Sequence, residues 1–300
     1  MSIFKKHWDS IQQDRKPSHY LRNVVILEAN DFVDRVLNAT DKQAAEFVDS
    51  IHSGDAYILQ NAFDEDRVED IKSQVFNWSK NIPSKSYQML DGCPDFHCIN
   101  DKPQGPMGGY TTIEHSYVFF RHNKDQFTSS LFHIFDKYWE AIKFMSGNNT
   151  DSFCDHIPSN GIIDRITFLQ YPYNCGKISK HFDSNKIQKL LLGGIFSQIG
   201  QDYVYGQQGF YVTDKNNRKY FLENIAKKGD FICVSPNLYH GVPNVHHKNH
   251  KNKDVDWNSL DGRWYAQCYS PESHEVADRD FTVAIKDNDD HGPIANFIKD

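Results

Sequence analysis

The rhythm of apolar and polar positions along this 300-residue chain changes near Asp164. Before it, apolar side chains recur at helical spacing. Thr40 and Gln43 frame a capping box, and Ala44, Phe47, Val48 and Ile51 then form one apolar stripe that stops at Gly54. "AYILQNAF" has the texture of a short strand, and Asp64 stands where it would cap a helix presenting Val68, Ile71, Val75 and Trp78 on one face. Phe127, Leu131, Phe135, Tyr138 and Ile142 predict a helix over 126–145, with its aromatics in the core rather than on a cofactor. "YVFFRH" reads as a strand. The first forty residues, mixed and polar, predict a peripheral arm or short helices. The stretch 82–116 has no periodicity and is rich in Gly, Pro and Asp, which predicts a long loop walling a pocket.

From Asp164 onward, eight short apolar or alternating runs follow one another: "RITFLQY", "KISKH", "LLLGGIFSQ", "GFYVTD", "KYFLEN", "DFICVS", "YHGVPNV" and "GRWYAQCYS". Turn-forming clusters such as "YNCG", "KNN" and "KKGD" separate them. Eight strands without intervening helices predict an antiparallel sandwich or barrel of jelly-roll type. The fold expected is therefore α+β, mainly β, in one domain over 1–300. Its helical and irregular N-terminal region (1–160) buttresses a β core over 164–270. Gly193 and Gly194 inside a strand mark a bulge or close packing, being too short a run to cradle phosphate.

Composition narrows the function classes. With 39% hydrophobic and 24% charged residues, a sizeable core can be buried. A formal charge of −7 argues against a nucleic-acid partner, which needs a dense basic face. The six cysteines form no C-x-x-C pair, as expected of reduced thiols in a cytoplasmic protein. No segment has the apolar length of a signal peptide or membrane span, so no membrane partner is expected. Nothing in the sequence sets an oligomeric state.

The chemistry centres on "YNCGKISKHFDSNKIQK". In an extended strand, residues i and i+2 project to one side, so His181 and Asp183 can both face inward while Phe182 faces out. Two imidazoles and a carboxylate on one face suit a divalent iron and leave coordination positions open. His240, beginning the seventh run after a buried-looking strand, is the candidate third ligand. Among 15 histidines and 40 acidic residues an isolated H-x-D arises easily by chance, and a surface loop or hairpin end is its bland reading. Arg263, at the head of the eighth run in an otherwise apolar strand, is either an edge-strand surface arginine or a clamp for a carboxylate. His246, His247 and His250 form an H-H-x-x-H cluster, but neighbouring Lys248, Lys251 and Lys253 would repel a cation, and a solvated loop is the better reading. Cys93, His97 and Cys98 lack a second ligand pair.

"YPYNCGKISKHFD", then "GDFICVSPNLYHG", then "GRWYAQCYS" together resemble the Fe(II)/2-oxoglutarate-dependent dioxygenase superfamily, whose fold is the double-stranded β-helix. The opening segment is similar to the prolyl-hydroxylase pattern, and "GDAYILQNAFDEDRVEDIKSQV" resembles the N-terminal part of phytanoyl-CoA dioxygenase-like members. The resemblance spans roughly 164–270 in motif order and 54–80 loosely. It implies His181, Asp183 and His240 as iron ligands, Arg263 as partner of the far carboxylate of 2-oxoglutarate, Tyr171 lining that pocket and Ser197 near it. The gap from His240 to Arg263 is 23 residues, longer than the dozen or so the family shows; a polar insertion over 246–261 accommodates it cheaply. A different register would put Arg279 in the role. The activity implied is hydroxylation of an unactivated C–H bond of a small metabolite, using O2 and releasing succinate and CO2. A protein or peptide side chain as substrate, or a divalent-metal cupin hydrolase or isomerase without 2-oxoglutarate, are the alternatives.

Overall fold

The structure, a computed structural model, describes residues 2–104, 112–173, 176–203, 209–246 and 256–285. The helices are α1 (Phe4–Asp14), α2 (Ala29–Leu37), α3 (Asp41–Ser53), α4 (Glu65–Ser79) and α5 (Gln126–Met145). The strands before the change of rhythm are β1 (Val24–Glu28), β2 (Ala56–Gln60), β3 (Phe96–Gln104) and β4 (Thr112–Phe120). After it come β5 (Arg165–Tyr171), β6 (Lys177–Phe182), β7 (Leu191–Ile195), β8 (Tyr211–Thr213), β9 (Lys219–Phe221), β10 (Phe231–Val234), β11 (His240–Val242), β12 (Arg263–Tyr269) and β13 (Val283–Ala284). Each of the eight runs beyond Asp164 supplies one strand, β5 to β12.

The helix ends form where local chemistry directs them. Thr40 accepts the Gln43 N–H while Gln43 returns a bond to the Thr40 N–H, and Gly54 closes α3 at φ 102°, a left-handed position that glycine fills without strain. The Asp64 carboxylate accepts the Arg67 N–H at 2.7 Å and opens α4. Of the peripheral arm or short helices expected over the first forty residues, the short helices α1 and α2 form, and β1 between them, not expected, pairs in parallel with β2. The long loop expected over 82–116 holds β3 and the start of β4.

All thirteen strands join one curled sheet. Its path runs β1-β2-β10-β7-β12-β5-β4-β6-β11-β8-β9, with β3 on β4 and β13 on β6. Strand β4 makes the curl. It pairs β5 through His115–Phe120, then swings to pair β6 at Thr112–Ile178 and Ile113–Lys177. One face of β5, β7, β10 and β12 presents Ile166, Phe168, Leu192, Phe231, Trp264 and Ala266 to the helices, where they form the main core with Phe135, Trp139 and Ile142 of α5. Each such fully buried large side chain contributes roughly 1.5–3 kcal/mol. The alternate positions face into the curl and line a cavity of about 510 Å³. Gly193 is required there, since a Cβ would meet the Tyr265 hydroxyl at 1.6 Å. Close packing, as expected, explains the glycine pair.

Candidate metal centre

His181 is the fifth residue of β6 and His240 the first of β11, and the two are directly opposed in the antiparallel pair. Phe182, between the ligand candidates, turns outward onto His19 and Tyr239. Asp183 lies just past β6, where its N–H donates to the Pro236 carbonyl at 2.9 Å. One ligand atom from each of His181, Asp183 and His240 falls within 4.8 Å of the others. The Asp183 Oδ2 stands 3.5 Å from His240 Nε2 and 4.0 Å from His181 Nε2.

The second nitrogens fix which lone pairs face the centre. Nδ1 of His181 donates to the Ser179 carbonyl at 2.7 Å, and Nδ1 of His240 donates to the Leu238 carbonyl at 2.7 Å. Each ring therefore turns Nε2 toward Asp183, as a metal-ligating imidazole does. Oδ1 of Asp183 is held by the hydroxyl of Thr282. Burial and the neighbouring His240 push His181 down to about 4, so it is neutral near pH 7. Burial alone would raise Asp183, but the adjoining His240 and His181 and the Thr282 hydroxyl hold it well below the ordinary carboxylate range. A neutral His181 and an ionised Asp183 are in the state that takes a divalent cation. The donor set fits iron.

Arg263 is buried to 1% exposure in the lining of the same cavity, opposite Tyr171 on β5. It is no edge-strand surface arginine. The rings of Tyr171 and Tyr265 flank its guanidinium at 4.9 and 5.0 Å. Glu223 takes Nε at 2.9 and 3.0 Å and also takes Nη2, while Nη1 has no partner among the described residues. Glu223 itself receives the Phe210 N–H at 2.6 Å and the Tyr203 hydroxyl. Arg279, the other candidate for this role, also lines the cavity, bonded to His274 at 2.8 Å.

Ser197 is not brought to this group. Its hydroxyl accepts the Trp264 N–H at 2.6 Å and pins the end of β7 to β12, outside the cavity lining. Ser197 lies two residues past β7, where strand alternation no longer sets its direction and its hydroxyl is taken up by the backbone of Trp264 and Gly262. Three polar residues at the site carried no motif: Thr282, Glu223 and Glu114. Of the H-H-x-x-H cluster, His247 and His250 lie outside the described residues.

No family model matches the sequence, and no curated protein matches it. Among solved structures, one match is full-length Neurospora crassa T7H in complex with alpha-KG, at 12% identity over 84% of this chain and 85% of that chain, TM-score 0.46. A second is a putative 2OG-Fe(II) oxygenase family protein from Caulobacter crescentus, at 12% identity over 84% and 86%, TM-score 0.44. A third is a Pseudomonas putida prolyl-4-hydroxylase, at 8% identity over 76% and 97%, TM-score 0.43. The chain is similar to 2OG-Fe(II) oxygenase structures. A likeness this distant carries no functional argument, which rests on the site.

Proposed function

We propose that the curled sheet is a double-stranded β-helix and the protein a non-haem Fe(II)/2-oxoglutarate-dependent oxygenase that hydroxylates a small molecule. The observation that carries the reading is the pairing of two features in one cavity. The first is two imidazole Nε2 atoms and a carboxylate oxygen; the second is a buried guanidinium with Nη1 unpartnered among the described residues. A cupin hydrolase or isomerase would have no use for the second feature.

His181, Asp183 and His240 would hold Fe(II), which with 2-oxoglutarate and O2 supplies the oxidising chemistry that ends in succinate and CO2. Nη1 of Arg263 pairs with the far carboxylate of 2-oxoglutarate, and Tyr171 packs beside that contact. The fixed tautomers keep both Nε2 lone pairs on the metal position without reorganisation. Residues 271–285 cross the mouth. Glu272, His274, Arg279, Asp280, Phe281 and Thr282 all line the cavity, and β13 adds to the edge of β6. This roof limits water access and favours a small metabolite over a folded protein or long peptide as substrate.

The test is anaerobic addition of Fe(II) and 2-oxoglutarate to the metal-free protein. A visible charge-transfer band is expected, absent in His240→Ala. Tight zinc binding with no band in the wild type would refute the reading.

A further inference from the structure

Two carboxyl groups, Glu223 and Glu114, stand close to Arg263, with Arg165 the other arginine beside Glu114. Glu223 already occupies Nε and Nη2 of Arg263. A second carboxyl, Glu114, stands on β4 one step beyond the His115–Gln170 pair, which places it beside Tyr171 in the row that continues to Arg263. Glu114 lines the cavity and is 8% exposed. Thr112 and Tyr171 are close enough to act on it, yet its Oε2 has no hydrogen-bond partner among the described residues. Asn100 faces it from β3, with Cys98 nearby on the same strand. Arg165 and Tyr171 on β5 and Arg263 on β12 act on it through their charges or hydrogen bonds, and Lys177 of β6 opposes the adjacent Ile113.

The far carboxylate of 2-oxoglutarate, seated on Arg263, would be the third carboxylate around one guanidinium in a buried pocket. Like charges so placed cannot all stay ionised. Glu223 is bonded wholly by donors, namely two guanidinium nitrogens, a backbone N–H and the Tyr203 hydroxyl, so it keeps its charge. Glu114 lines the same cavity, and its Oε2 is buried without a hydrogen-bond partner among the described residues. We propose that Glu114 is a co-substrate-binding residue in its neutral acid form, its Oε2–H donating to the far carboxylate of 2-oxoglutarate beside Nη1 of Arg263.

This rests on the function proposed above and adds a consequence to it. Burial pushes Glu114 up to about 7, against the opposing pull of Thr112, Tyr171, Arg263 and Arg165. Below that pH the free protein already carries the proton. Above it, binding must take a proton up, and affinity for 2-oxoglutarate falls with rising pH by up to about tenfold per unit.

The experiment is calorimetric titration of the anaerobic Fe(II) protein with 2-oxoglutarate from pH 6 to 9, in pairs of buffers differing in ionisation enthalpy. The wild type is expected to take up close to one proton per ligand at pH 8 and almost none at pH 6. Glu114→Gln, which keeps shape and one N–H donor, is expected to bind at pH 8 at least as tightly as the wild type, with no proton uptake. Glu114→Ala is expected to weaken binding at every pH. Tight binding by the wild type without proton uptake, or uptake unchanged in Glu114→Gln, overturns the proposal while leaving the oxygenase reading intact. No 2-oxoglutarate binding at any pH overturns both.

Discussion

At the scale of single residues, the site is held by contacts that reach across the chain. Thr282 lies 99 positions from Asp183, yet its hydroxyl fixes the carboxylate's orientation and leaves Oδ2 for the imidazoles. Removing such an outer bond weakens metal affinity about 10–100-fold in other metal sites. Thr282→Val should do the same here, measured by equilibrium dialysis of Mn(II), with Thr282→Ser restoring affinity. Arg263 has a second duty besides ligand binding, because it neutralises buried Glu223. Arg263→Met should cost about 3–5 kcal/mol in urea unfolding by stranding that carboxylate. The double variant with Glu223→Gln should regain much of the loss. No regain would mean that the pair contributes packing rather than charge compensation.

At the scale of elements, the sequence was legible wherever one face of a strand or helix is apolar. The capping box of α3, the Asp64 cap of α4, the α5 stripe and the eight runs of β5 to β12 all stand where their patterns place them. The metal candidates followed, because an i, i+2 pair and a histidine opening a later strand are local signals. Strand β4 was legible only over Tyr117–Phe120, and the reason its first half was not is physical. Its nine residues are all buried, but its inward side faces the ligand cavity rather than a hydrocarbon core, so Glu114 and Ser116 occupy positions where apolar alternation was sought. The next residue, His115, joins a buried chain of bonds, 2.8 Å to His97 and 2.9 Å to the Tyr117 hydroxyl. Burial, reinforced by His97, pushes His115 down to about 3. The unfolded chain would take up a proton near pH 6.5 that the native state refuses, so stability present at neutral pH is lost as pH falls from about 6.5 toward 3. The slope expected is about 1.4 kcal/mol per pH unit for this one group. Urea unfolding of the metal-free protein from pH 7 to 5 measures it, and His115→Gln should flatten it.

At the scale of the whole molecule, a metal at the proposed site would couple the chain's last described segment to the curled sheet. Residues 271–285 are tied to the β6 end by Lys186 on Glu272, Ser184 on Asp280 at 2.9 Å and the Ile285 N–H on the Lys180 carbonyl at 2.9 Å. These ties are mostly exposed and individually weak. Thr282 to Asp183 is the side-chain bond, among the described residues, from this segment to a proposed metal ligand. A metal that immobilises Asp183 presents Oδ1 to Thr282 in a fixed place, so metal binding and the seating of this strap should favour each other by the same factor. Hydrogen exchange reads the coupling directly. Mn(II) should slow exchange at Ile285, whose amide is bonded to Lys180, in the wild type. In Thr282→Val, metal at a concentration that saturates the weakened site should leave that amide's exchange unchanged, because the side-chain bond linking ligand to strap is gone. Equal slowing in both proteins would place the coupling in the β6–β13 pairing instead, through His181, whose backbone opposes Ala284.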